Sequence, residues 1–204
     1  TDRHQSLKQN LDGLEYEFFY GTDKEQLDIE TAKSDGTYDE QRAKKLQRQG
    51  KALNLGELAC SLSHRQVYAA MIKYNWQKVL VLEDDVLPLT KDLNQLAEAI
   101  EELPHNWELL YLGYLKHEKI TNGLKAKQFF YKILSAAGFM TWSYKMVSNL
   151  LPKPYSVHLK NAGFHDCTHA YAITLAGAQK LLAAQTPVVY RADDLLSATI
   201  MKGE

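Results

Sequence analysis

Val79-Leu80-Val81-Leu82 runs without a break into Glu83-Asp84-Asp85, an aliphatic tetrapeptide ending in three carboxylates. A short aliphatic run of this kind predicts a strand buried on both faces. Upstream, Leu58, Leu62, Val67, Ala70, Met71 and Tyr74 recur close to one helical face between Gly56 and Tyr74, which predicts a long helix feeding that strand. Downstream, Thr90 can cap a helix carrying Leu93, Leu96, Ala97, Ile100 and Leu103, and Pro104 stops it. Trp107 to Leu112 then forms a second apolar strand candidate, ended by Gly113. Strand, helix, strand in this order predicts an α/β fold with a mixed, mostly parallel sheet flanked by helices.

Further out, the aromatic segment Glu15 to Tyr20 reads as a strand running into Gly21-Thr22-Asp23. Residues 23–54 are polar and poor in large aliphatics, which predicts a flexible loop or a loosely held helix. Tyr114 to Gln128 reads as loop, and Phe129 to Tyr144 as an apolar stretch cut off by Pro152 and Pro154. His169 to Ile173 predicts a last strand, Thr174 a cap, and Ala176 to Ala184 a helix.

The whole chain, 1–204, reads as a single domain. At 204 residues it can bury roughly 70% of its extended surface without disulfides or structural metal. With 24 Lys+Arg against 25 Asp+Glu it has no global pull toward nucleic acid, so an anionic ligand needs a local site. No apolar run approaches the ~20 residues of a bilayer span. Two cysteines, Cys60 and Cys167, and no leader-like start make a cytoplasmic setting the expectation.

Glu83-Asp84-Asp85 sits where ligands bind in open α/β sheets, beyond the carboxyl end of a strand. Three adjacent carboxylates repel one another unless a cation compensates them, and hard oxygen ligands suit Mg²⁺ or Mn²⁺. Capping of the next helix in solvent is the plainer account. Strand alternation would point Glu83 and Asp85 one way and Asp84 the other. Asp193-Asp194 can supply a general base for a hydroxyl group, or simply open a terminal helix. His64, just past the first turn of its helix, can face an anion or sit on the helix surface. His169 is a candidate third metal ligand or a strand-edge residue. Arg42, Lys44, Lys45, Arg48 and Lys51 can touch phosphate or a membrane surface, or form a solvated face. Glycine-rich phosphate loops of the P-loop or dinucleotide kind do not occur in the sequence.

Taken in order, Gly56-Glu57-Leu58-Ala59-Cys60-Ser61-Leu62-Ser63-His64, Val79 to Asp85, Trp107 to Gly113, His169 to Thr174 with Gly177-Ala178, and Ala192-Asp193-Asp194 resemble glycosyltransferase family 25. That family includes bacterial lipopolysaccharide galactosyltransferases and collagen galactosyltransferases. The resemblance implies a GT-A-like nucleotide-sugar fold and inverting transfer of a hexose, galactose foremost, from a UDP-sugar to a lipid-linked or oligosaccharide acceptor. It implies a divalent metal, Mn²⁺ or Mg²⁺, on Asp85 and Glu83, to which His169 is the candidate third ligand read from its own position. Asp193 would be the general base with Asp194 beside it, and Arg3, Ser63, His64 and Glu83 would line the donor pocket. Peripheral contact with the inner membrane would follow from a lipid-linked acceptor. The chain is expected to lack the hydrophobic strand with which that family begins. Two other readings of the same carboxylates are a Mg²⁺-dependent phosphohydrolase and a degenerate module that binds a nucleotide sugar or partner without turnover.

Overall fold

The computed structural model describes residues 8, 11, 15–47, 50–86 and 94–203. The dominant helix, α3 (Leu55–Tyr74), follows two short ones, α1 (Ile29–Ser34) and α2 (Glu40–Leu46). Its start is fixed twice over: the Asn54 side chain accepts from the Glu57 amide, and the Glu57 carboxylate accepts from the Asn54 amide. Its end falls at Asn75, whose φ of 55° is left-handed. The buried side of α3 carries Leu58, Leu62, Tyr68 and Met71.

Strand β1 (Lys78–Leu82) comes next, then α4 (Asn94–Glu101), β2 (Leu109–Leu115), α5 (Asn122–Ala136) and α6 (Tyr144–Ser148). A two-residue ribbon, β3 (Lys153–Pro154) with β4 (Lys160–Asn161), precedes the long β5 (Asp166–Thr174), α7 (Leu175–Ala184) and α8 (Ala192–Lys202). Mixed α/β architecture is as the sequence predicts, but the sheet is not mostly parallel. Its order is β1-β5-β2, and both pairings are antiparallel. Because each outer strand opposes β5, β1 and β2 point the same way, as a strand–helix–strand unit requires. The last strand has inserted between them, so neither hydrogen-bonds to the other. Strand order of this kind is set by long-range packing, which periodicity along the chain does not encode.

The same insertion corrects the reading of Val79 to Leu82. Among the described residues β1 is an edge strand, with Val79 and Val81 turned to the core and Leu80 48% exposed on the other face. Residues 15–20, expected to be a strand, form no ladder. Within 23–54, α1 and α2 are each capped by an aspartate, Asp28 and Asp39, and Ala32, Tyr38, Ala43 and Leu53 pack with Leu58 and Val188 into a second core cluster. The Thr90 cap and Leu93 fall outside the described residues.

The main core lies between the sheet and α3, α7 and α8, where Tyr68, Met71, Tyr171, Ile173, Leu181 and Leu196 meet. Gly177 lets α7 press against the loop before β2: a Cβ there would lie 2.6 Å from the Glu108 carbonyl oxygen. These contacts pin β5 under α3 and set the carboxyl end of β1 beside the start of β5.

Candidate active site

β1 delivers Glu83 one residue beyond its last ladder position, and the Glu83 amide donates to the His169 carbonyl at 3.0 Å. That bond locks the acidic turn onto β5. One carboxylate oxygen each from Glu83 and Asp85 and one ring nitrogen of His169 lie within 4.8 Å of one another. Two hard oxygens and an imidazole at this separation form a donor set that Mn²⁺ or Mg²⁺ can take, with Asp85 exposed and the other two half-buried. His169 Nδ1 stands 3.2 Å from Glu83 Oε2.

Glu83 is also held from below. The Thr168 hydroxyl donates to Glu83 Oε1 at 2.5 Å, and His64 Nε2 lies 3.5 Å from that hydroxyl oxygen. His64 Nδ1 is 2.7 Å from the Tyr171 hydroxyl, which is 3.2 Å from the Tyr68 hydroxyl. Proton bookkeeping gives this chain one direction. A carboxylate only accepts, so the Thr168 proton goes to Glu83 and the Thr168 oxygen is left to accept from His64 Nε2. His64 Nδ1 therefore accepts from Tyr171, and Tyr171 accepts from Tyr68. Burial pushes the His64 pKa down, which keeps the ring neutral as this tautomer requires, against the opposing pull of Glu83 and Asp193. Burial also raises the Tyr68 and Tyr171 hydroxyls well above their ordinary range, so both keep their protons.

The second acidic pair reaches the same place from α8. Asp193 Oδ2 accepts from the Cys167 amide at 3.0 Å, and Oδ1 from the Asp194 amide at 2.8 Å. Cys167 takes a left-handed φ of 66°, which turns its amide out of the ladder toward Asp193. Three consecutive residues of β5 thus hold both carboxylates, Cys167 on Asp193 and Thr168 and His169 on Glu83. Asp194 is paired with Arg191 Nε at 2.9 Å, and Arg191 reaches Glu57 in the first turn of α3 at 3.4 Å.

Of the residues singled out from sequence, Glu83, Asp85 and His169 come together, and Asp193 lies close enough that it and Glu83 both raise the thiols of Cys60 and Cys167. Cys60 reaches about 11, through burial first and these carboxylates second, so it is no nucleophile near neutral pH. His64 is 8% exposed, with both ring nitrogens engaged. The Ser63 hydroxyl donates to the Ala59 carbonyl and accepts from the Thr22 amide at 2.9 Å, tying the chain before α1 to α3. Arg3 lies outside the described residues. Thr168, Tyr171 and the Cys167 amide are not singled out by the sequence reading. Only Thr168 carries a signal there, a hydroxyl next to His169 at the start of a strand.

The sequence profile of glycosyltransferase family 25 (LPS biosynthesis protein) matches residues 1–196. The chain belongs to glycosyltransferase family 25. Procollagen galactosyltransferase 2 of Mus musculus is 32% identical over 135 residues, 65% of this chain and 17% of that protein. Inactive glycosyltransferase 25 family member 3 of Homo sapiens is 32% identical over 143 residues, 67% of this chain and 19% of that protein. The chain therefore spans about a fifth of the length of the curated relatives it matches. No solved structure matches it. Among the described residues no helix is long and apolar enough to cross a membrane.

Proposed function

We propose that this family 25 chain carries the catalytic region of a metal-dependent inverting glycosyltransferase with a GT-A-like donor site, moving a hexose, galactose foremost, from a UDP-sugar to a glycan acceptor such as lipopolysaccharide. The convergence of Glu83, Asp85 and His169 at one strand end carries this reading. A divalent cation held by these three supplies positive charge against the donor diphosphate and the departing UDP. Thr168 fixes the Glu83 carboxylate so that one oxygen is committed inward and the other, beside His169, remains for ligand. Asp193, braced by two backbone amides, takes the proton from the acceptor hydroxyl. That oxygen then bonds to the anomeric carbon from the face opposite UDP, and UDP leaves with the electron pair of the broken bond. Arg191 neutralises Asp194 and keeps it from repelling its neighbour.

For a lipid-linked acceptor, α5 offers a surface: Phe129, Phe130 and Ile133 are exposed on it, and the chain has no acidic residue between Glu118 and Asp166. The name of the human relative favours a second reading, a module that binds a nucleotide sugar without turning it over. A thermal-shift screen of UDP-galactose, UDP-glucose, UDP and inorganic phosphate, each with and without Mn²⁺, tests the donor site. The transferase reading expects a rise in Tm that needs both the uridine nucleotide and Mn²⁺. Stabilisation by phosphate alone, together with hydrolysis of simple phosphate esters, would point to a phosphohydrolase instead.

A further inference from the structure

A cavity of about 370 Å³ opens beside the second acidic pair, between α2, the start of α6 and the two ends of α8. Its size falls within the roughly 300–1,000 Å³ of small-ligand sites. Arg42 and Lys45 line it from α2 and Lys202 from the last turn of α8, with Trp142, Tyr190 and Asp194 beside them. The Lys202 ammonium lies 5.8 Å from the Tyr190 ring. Among the described residues Arg42, Lys45 and Lys202 have no carboxylate at ion-pair distance, because Glu40 pairs with Lys33 and Lys44, and Asp194 with Arg191. Three cations without counter-charges thus surround a concavity with aromatic walls. A bare anion would use the cations alone and none of the apolar wall beside them, and a neutral apolar ligand would leave the cations uncompensated. A pyranose bearing one anionic group satisfies both, its C–H face against the rings and its charge among the cations.

We infer that this cavity is the subsite for an anionic sugar unit of the acceptor, a phosphate- or carboxylate-bearing pyranose bound next to Asp194. The assignment to the acceptor rests on the transferase reading above, because Asp194, the neighbour of the proposed base Asp193, lines the cavity and none of Glu83, Asp85 and His169 does. Calorimetric titration of glucose 6-phosphate, glucuronate, glucose and inorganic phosphate into the full chain, wild type and Arg42→Gln/Lys45→Gln, tests it. Both side chains are exposed on α2, so the double variant is expected to keep the wild-type circular dichroism.

At least one of the two anionic sugars is expected to bind about tenfold more tightly than glucose and than phosphate, the joint contribution of two partly exposed ion pairs, and the double variant to lose that preference. Which of the two binds separates a phosphate from a carboxylate source. Phosphate binding as tightly as glucose 6-phosphate, a preference that survives in the double variant, or displacement of the sugar by UDP with Mn²⁺ would each overturn the proposal. None of these titrations involves transfer. Absent turnover with the preference intact would therefore strike the transferase reading and leave a sugar-binding site in place.

Discussion

Thr168 links the buried polar chain to the acidic turn, and its single hydroxyl proton is what Glu83 Oε1 receives. Thr168→Val keeps the shape and removes the donor, leaving a half-buried carboxylate oxygen and the His64 Nε2–H without partners. Losing one such hydrogen bond costs about 1–3 kcal/mol, and transfer is expected to fall further because Glu83 is free to turn. Thr168→Ser restores the hydroxyl and should recover both. Urea unfolding and kcat of the two variants check this; a Thr168→Val protein with wild-type kcat would remove the positioning role. The acidic residues of this site stand out in the sequence because three carboxylates follow directly on an aliphatic strand. Thr168, Tyr171 and the Cys167 amide do not, because their roles depend on the β1–β5 register, which sets Leu82 opposite Ala170.

At the scale of elements, helix signals survived best where caps were strong. The α3 capping box and the Thr174 cap of α7 both stand where the chain's polar residues meet an apolar period. The start of α5 was hidden, since Thr121-Asn122-Gly123 combines a good cap with two weak helix formers and no acidic residue in the first turn. Glu102, just after α4, ties that helix to the β3–β4 ribbon: its carboxylate accepts from the Ser156 hydroxyl and from the His158 amide, and the His158 ring lies alongside. The Ser156 bond first, then the His158 amide and ring, hold its pKa down at about 2. A depressed folded-state value means the tether's contribution is complete above the unfolded value near 4.5 and is lost as pH falls through about 2. Amide shifts of Ser156 and His158, followed by NMR from pH 5 to 2, should move together toward random-coil values. In Glu102→Gln the same shifts should lack that transition.

Across the whole molecule, periodicity marked α3, β1, α4, β2, β5 and α7, but the sheet could not be ordered. The pattern read as a parallel unit because β1 and β2 do run the same way, and nothing local announces that β5 enters between them. The near-neutral total charge conceals segregation. Carboxylates gather at Glu83 to Asp85 and at Asp193-Asp194, while Arg42, Lys45 and Lys202 meet around a cavity that Asp194 also lines. The central claim is that Glu83, Asp85 and His169 form a cation site serving galactosyl transfer. Release of UDP from UDP-galactose, with Mn²⁺ and then with chelator, in wild type and Asp85→Ala tests it most directly. The account predicts release that needs Mn²⁺ and falls at least about a hundredfold in the variant, the loss expected when a group that stabilises developing charge is removed. Turnover that persists in chelator, or an Asp85→Ala enzyme as fast as wild type, would contradict it.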